Sequence, residues 1–503
     1  MLFYFLENVF RHKQINNKHI KTTFRSIYMS KSRKSSFFKA IQASFIVFAS
    51  LSFAETQTNP VYVTDSVKNF RQMGSNYYAY PTPTAKYTKA PVGYKPFYIS
   101  HYGRHGSRFH QPADHYHALY NTLAKADSAG KLTDLGKSLL ERAKFLDEYA
   151  APRAGDLTQL GVAQHQGIAK RMVKNFHELF KNNAYIEAYA STSVRCVVSM
   201  AAFLEELRAQ KPKLDIHQES GKYLMAFISP LDFGKIIGET NTPAWQKENE
   251  KLYSHVNPTR MMRTIFNDSN YIQKNVDVGD LFSKIYEIGN SLQGSPEIEF
   301  NFDDLWTKED LAARWHAQNA WWYSVLGNNP FARKQGLDNA RPLLKNVLDE
   351  ADKVIAADTA KANASTDSTS SSTGSATAKT AAKHAKKTTA TLRFGHDTVI
   401  FPFAVLLQLE NGTQNTGIET ADMENLHKVW RDYEISPMAA NVQFVFYKSS
   451  KKGTPILVKV MLNEIEQKLP VTCDTATVKN CPATPYYRWE DVKEFYGKIA
   501  AGK

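Results

Sequence analysis

The stretch SHYGRHGSRFHQPADHYH, Ser100 to His117, holds five of the chain's fifteen histidines together with Arg104, Arg108 and Asp114. Histidines at this density suit a transition metal, whereas guanidiniums set between them repel a cation and attract an anion. In GRHGSR, Arg104 precedes His105 and Arg108 follows three residues later, with Gly103 and Gly106 free to turn the backbone sharply. Two guanidinium forks fit phosphate oxygens. An imidazole between them faces phosphorus drained of charge, so His105 could attack it and form a phosphohistidine. Taken alone, the hexapeptide fits a basic loop with an incidental histidine equally well. A metal reading is left with His101, His110, His115 and His117. Of these, His115 and His117 point to opposite faces of a strand, or about 200° apart on a helix, and need an irregular loop to act together.

The elements that must position these residues follow from hydrophobic spacing. KPFYISHYG, Lys95 to Gly103, is aromatic and β-branched and ends in glycine, which predicts a strand running into a loop. DLTQLGVAQHQGIAKRMVKNF offers Asp156 and Thr158 as caps and then apolar residues at helical spacing. AYIEAYAST predicts a second strand, followed by the helix SVRCVVSMAAFLEELRAQ, in which Cys196 reads as a small core residue. Residues 55–211 therefore alternate strand and helix, as an α/β sheet domain does. From 212 to 358 strand patterns fade and helices such as EDLAARWHAQNAWWYSVLG dominate; Trp315, Trp321 and Trp322 at helical spacing read as core. Residues 359–390, poor in large apolar side chains, are expected to be a disordered linker. TLRFGHDTVIFPFAVLLQL then resumes the strand-turn-helix pattern, and NVQFVFYKS and PILVKVMLNE supply two more strands. The expected fold is α/β: a discontinuous sheet domain, 55–211 and 391–503, with an inserted mainly helical domain, 212–358.

Charge and cysteine usage bound the function class. The net charge is +14, but residues 1–28, 29–54 and 361–390 each carry +4, leaving about +2 for the rest. A globally basic surface is thus no argument for nucleic acid, and none is expected as a partner. From Met29 the chain reads as a basic start, an apolar run from Ala40 to Phe53 and small residues before a polar turn, the layout of a secretory signal ending at Ala54. The apolar run is too short to span a bilayer, so no stable membrane insertion is expected. Residues 1–28 read as an upstream extension. Cys473 and Cys481, eight positions apart in a turn-rich loop, can close a disulfide in the oxidising periplasmic or extracellular compartment that such a signal implies.

Three separated segments carry a family resemblance. GRHGSRFHQP resembles the RHGxRxP signature of the histidine acid phosphatases, the clade that includes phytases and multiple inositol polyphosphate phosphatases. FGHDT resembles their second, His-Asp, signature. DLTQLGVAQHQGIAKRM followed by STSVRCVVSMAAFL resembles the intervening helix and its later arginine-bearing element. The resemblance implies that His105 is the nucleophile and that Arg104, Arg108, Arg195 and His396 hold the phosphate. It makes Asp397 the acid that protonates the leaving alkoxide and then activates water. No metal or other cofactor is required. Asp397 must be protonated to act as an acid, which predicts an acidic optimum unless burial raises its pKa. Two departures stand out: His110 occupies the place of the signature's proline, with Pro112 two places later, and His396-Asp397 replaces the His-Ala-Glu typical of multiple inositol polyphosphate phosphatases. The expected function is an exported phosphomonoester hydrolase, a monomer or weak oligomer, acting on inositol polyphosphates such as phytate. The alternatives are a broad acid or sugar-phosphate phosphatase or, in a different class, a periplasmic metal- or phosphate-binding protein.

Overall fold

Strand β1, Tyr94–Arg104, is buried at its last eight positions, which requires neighbours on both edges and packing on both faces. The computed structural model describes residues 69–230, 233–332, 335–366, 387–412, 414–451, 453–476, 478 and 480–502. All of these lie within one contact unit, Glu55–Lys503. The expected upstream extension and signal, residues 1–54, lie outside the described residues, as does most of the expected linker. The other strands of the main sheet are β2 (Tyr185–Ala190), β3 (Asp215–Ser220), β4 (Thr388–Gly395), β5 (Asn441–Ser449), β6 (Leu457–Leu462), β7 (Ile465–Glu466) and β8 (Tyr487–Arg488). Among the described residues their order is β8-β6-β5-β1-β4-β2-β3, with β7 added on β6. β1, β4, β2 and β3 run parallel, and β5 pairs antiparallel with β1.

Alternation along the strands separates two cores. On one face, Ile99 of β1, Ala390, Leu392 and Phe394 of β4 and Val445 of β5 meet Met172 and Phe203. These last two come from helices α3 (Gln159–Asn175) and α4 (Val194–Gln210). On the other face, Tyr98 and Tyr102 of β1 and Phe444 and Phe446 of β5 join a larger helical core. That core contains helices α1 (Ala113–Ser128), α2 (Asp134–Tyr149), α5 (Val278–Ser291), α6 (Lys308–Leu326) and α7 (Arg341–Thr366). Trp322 is buried in it, stacked on Phe401, while Trp315 is buried in a smaller cluster with Met73, Tyr286 and Tyr433 and donates to Asp432 Oδ1 (3.0 Å). Trp321 packs against the margin of the larger core.

The structure differs from the sequence expectations at three places. β3 lies inside the segment 212–358 expected to be mainly helical; as an edge strand its side chains are half-buried or exposed, so DIHQES carries no apolar run. The helical layer also draws on α1 and α2, upstream of that segment: Leu119, Leu139 and Leu146 share a core with Met261 and Ile285. Finally, α7 continues to Thr366 and β4 begins at Thr388, both inside the expected linker. Its alanines and lysines are strong helix formers, and Asp358 near its end pairs with Lys387 and Lys448, each at 2.5 Å. Among the described residues no helix is long and apolar enough to cross a membrane. Cys473 and Cys481 are joined in a disulfide, with Cα atoms 5.8 Å apart, and Cys196 is buried and free.

Candidate active site

The register of the parallel strands brings the two histidine motifs together. Arg104, the last residue of β1, pairs with Gly395, the last of β4. His105 and His396 therefore leave the sheet side by side, with the His105 amide donating to Gly395 O (2.9 Å) and the two rings 5.7 Å apart. Ala190, ending β2, pairs with Phe394, so Ser191 and the start of α4 with Arg195 open on the same edge. The carboxyl ends of adjacent parallel strands are where α/β sheets present ligand sites.

The His105 ring is oriented by its own loop. Its Nδ1 lies 2.9 Å from Gly106 O, and a carbonyl can only accept, so Nδ1 carries the proton and Nε2 keeps its lone pair. Burial, reinforced by the charges of Arg104, Arg195 and Arg108, holds this imidazole well below its ordinary pKa and therefore neutral. The loop has no room to relax: a Cβ on Gly106 would lie 2.4 Å from Gly161 O of α3. Gln164 of α3 accepts from Ser107 N (2.8 Å) and donates to Ser107 Oγ (2.9 Å), and Thr158, capping α3, donates from its backbone N–H to Ser107 O (2.8 Å) and from its hydroxyl to Gly294 O (2.6 Å).

Arg104 is fully buried. Its Nη1 donates to Asn76 O (2.6 Å) and Ser436 O (2.8 Å), and its Nη2 forms an ion pair with Asp397 (2.8 Å). Arg108 donates from Nη1 to Phe109 O (3.0 Å) and sits over the Tyr77 ring at 5.2 Å. Arg195 Nη2 lies 3.5 Å from His396 Nδ1. The Nε donors of all three arginines are buried and find no acceptor among the described residues, donor capacity that a phosphate can take up. His396 caps helix α8 (Asp397–Leu407); its Nε2 is 2.9 Å from Ser191 Oγ, and its backbone N–H donates to Tyr102 Oη (3.2 Å). Burial and then Arg195 lower its pKa to about 4. The six residues expected from sequence thus converge at one sheet edge, while Cys473 and Cys481 sit in their own loop.

Asp397 corrects an expectation. Burial would raise its pKa, but Arg104, Arg108 and a hydrogen bond from Asn76 Nδ2 (2.7 Å) outweigh burial and bring it to about 2. Without substrate these partners favour the ionised carboxylate, opposite to the raised pKa that burial alone would give. The four histidines weighed as a metal cluster also separate. His101 is buried against Phe203 and Phe394, and His117 pairs with Asp147. His110 and His115 stay together, with Nε2 and Nδ1 2.8 Å apart. Sequence reasoning missed Asn76 and Tyr77, which arrive on the 3-10 segment Gln72–Tyr77, and it missed Tyr102, Gln164 and Ser191. SNYY carries no signal of its own. Tyr102 and Ser191 sat inside quoted motifs, and their placement at strand ends was the available clue.

A family model described as histidine phosphatase superfamily (branch 2) matches residues 103–463. The fold is similar to that of the multiple inositol polyphosphate phosphatase of Bifidobacterium longum in complex with inositol hexasulfate: TM-score 0.64, 18% identity, covering 84% of this chain and 97% of that one. It is also similar to the phytase from D. castellii, with TM-score 0.56 and 15% identity over 92% of this chain and 90% of that one. No curated protein sequence matches the chain.

Proposed function

The chain belongs to branch 2 of the histidine phosphatase superfamily, and from that membership we propose that it is an exported phosphomonoester hydrolase working through a phosphohistidine at His105, with inositol polyphosphates such as phytate as substrates. The observation that carries the reading is the state of His105: neutral, with Nδ1 engaged by Gly106 O, so that Nε2 keeps its lone pair, and with Arg104, Arg195 and Arg108 acting on its charge. Arg104, Arg108, Arg195 and His396 grip the phosphoryl oxygens, where charge builds in the transition state. His105 Nε2 bonds to phosphorus as the ester P–O bond breaks, and the departing alkoxide takes a proton.

Because Asp397 is ionised in the free enzyme, that proton arrives with the substrate. A monoester monoanion brings one, and its charge offsets Arg104 and Arg108, which relaxes their hold on the Asp397 carboxyl and lets it share the proton. Asp397 then accepts a proton from the water that attacks the phosphohistidine, and inorganic phosphate leaves. Chemistry of this kind asks for cations and one proton carrier rather than a metal at the reacting centre. Export is supported by the disulfide Cys473–Cys481 and by the basic-apolar-small pattern ending at Ala54. The similarity to inositol polyphosphate phosphatases and phytases supports the substrate class.

Two variants test the mechanism. His105→Ala should lower turnover by at least about a thousandfold with an unchanged circular dichroism spectrum. Asp397→Asn should slow phytate or another alkyl ester far more than an activated aryl phosphate, whose leaving group needs no proton. Full activity of His105→Ala would falsify the phosphohistidine route. A panel of phytate, glucose 1-phosphate and an aryl phosphate, compared by kcat/KM, checks the substrate class; equal rates on all three would point to a broad acid phosphatase.

A further inference from the structure

Behind the catalytic loop lies a second cluster. His110, five residues beyond the proposed nucleophile, His115 in the first turn of α1 and Glu287 of α5 place one ligand atom each within 4.8 Å of the other two. His110 Nε2 and His115 Nδ1 are 2.8 Å apart, His115 Nδ1 and Glu287 Oε2 3.3 Å, and His110 Nε2 and Glu287 Oε2 3.7 Å. Zinc bonds of 2.0–2.1 Å to nitrogen or oxygen in a tetrahedron put neighbouring ligand atoms roughly 3.3 Å apart, in the middle of these separations. Three protein ligands with one position left for water is the arrangement of an open zinc site.

We infer that His110, His115 and Glu287 form a binding site for a divalent transition metal of the zinc class, separate from the phosphate pocket. The donor set suits such an ion. His110 and His115 each present an imidazole nitrogen and Glu287 a carboxylate oxygen, the mixed nitrogen and oxygen set that zinc accepts. Cations nearby are engaged elsewhere: Lys284 pairs with Asp280, Arg314 lies 4.2 Å over the Tyr286 ring, and Arg108 donates to Phe109 O. Access remains, since the His115 and Glu287 side chains are 23% and 26% exposed. The outer shell is present too. His110 Nδ1 lies 2.6 Å from Tyr77 Oη, so a metal on Nε2 would fix the proton on Nδ1 and make it the donor to Tyr77.

The test uses the full chain without a polyhistidine tag, stripped with chelator and titrated calorimetrically with Zn²⁺. One equivalent should bind with a micromolar or tighter Kd, Co²⁺ should give the visible absorption of a four-coordinate ion, and Zn²⁺ should raise the Tm. His115→Ala and Glu287→Gln should each weaken Zn²⁺ binding at least about tenfold and remove the Tm increase, while His117→Ala keeps both. The metal-free Tm of each variant checks that it folds. Absence of saturable binding in the wild type, or binding unchanged in both variants, overturns the site. None of these readouts depends on phosphatase turnover, so the metal site and the proposed activity stand or fall separately.

Discussion

A nucleophilic imidazole must be neutral, and His105, the proposed nucleophile, is kept so by burial and by the arginines proposed to bind the substrate. The same charges keep Asp397 ionised, at about 2. One structural choice thus fixes two protonation states, and the sign of the pH dependence follows. As pH falls, His105 loses its lone pair only well below the 6.5 of a free imidazole, so the acid limb of kcat/KM should lie well under that value. As pH rises, the ester loses its second proton near about 6 and the leaving group loses its proton source. The profile should therefore peak on the acid side of neutrality; an acid limb centred near 6.5 would show that His105 titrates as an ordinary histidine. The residue types of this site were legible in GRHGSR and FGHDT, but its electrostatic balance was not. The expectation for Asp397 considered burial, whereas the ion pair with Arg104 depends on a strand register that no short motif records.

At the scale of elements, the catalytic loop is a wedge between β1 and α3. Gly106 sits where its missing side chain lets Gly161 O approach, and a methyl there would overlap that carbonyl. Gly106→Ala should cost about 1–3 kcal/mol of stability and lower kcat together, because the loop that moves also carries His105. Denaturant unfolding and steady-state kinetics on the same preparation check this, and an unchanged kcat would mean that the loop yields without moving His105. The strands and helices nearest the site were readable because each pairs an apolar run with a glycine or a cap: KPFYISHYG became β1, and the Thr158 cap opens α3. Elements whose stability comes from one-sided contact were not. β3 hides in the polar DIHQES, and the segment bearing Asn76 and Tyr77 is held by Arg104, Asp397 and His110, all distant in sequence.

For the whole molecule, burying neutral histidines makes stability depend on pH. His101, His165 and His316 are lowered to about 3 and His396 to about 4, in each case chiefly by burial. Below 6.5 the unfolded chain binds protons that the folded one refuses, so stability is lost as pH falls from 6.5 toward these values, by up to about 1.4 kcal/mol per unit for each group. Asp432, raised to about 6 by burial, works in the opposite sense and regains a little as it protonates. The Tm should drop steeply from pH 6.5 to 4.5, which would bring acid unfolding close to the working range of the active site; a flat Tm across that interval would sink the prediction. The order of the sheet carries a last consequence, for how the molecule forms. Both neighbours of β1 come late in the chain, β4 after residue 387 and β5 after residue 440. A nascent chain therefore emerges with its nucleophile strand unpaired until most of the protein has been made. The loop-closure entropy of contacts spanning about 290 residues to β4 and about 340 or more to β5 then sets the folding time. Assembly of the catalytic edge should be the slow, final phase of refolding, visible as activity returning after the helical circular dichroism signal. Such a chain holds most of its helices before it holds its active site.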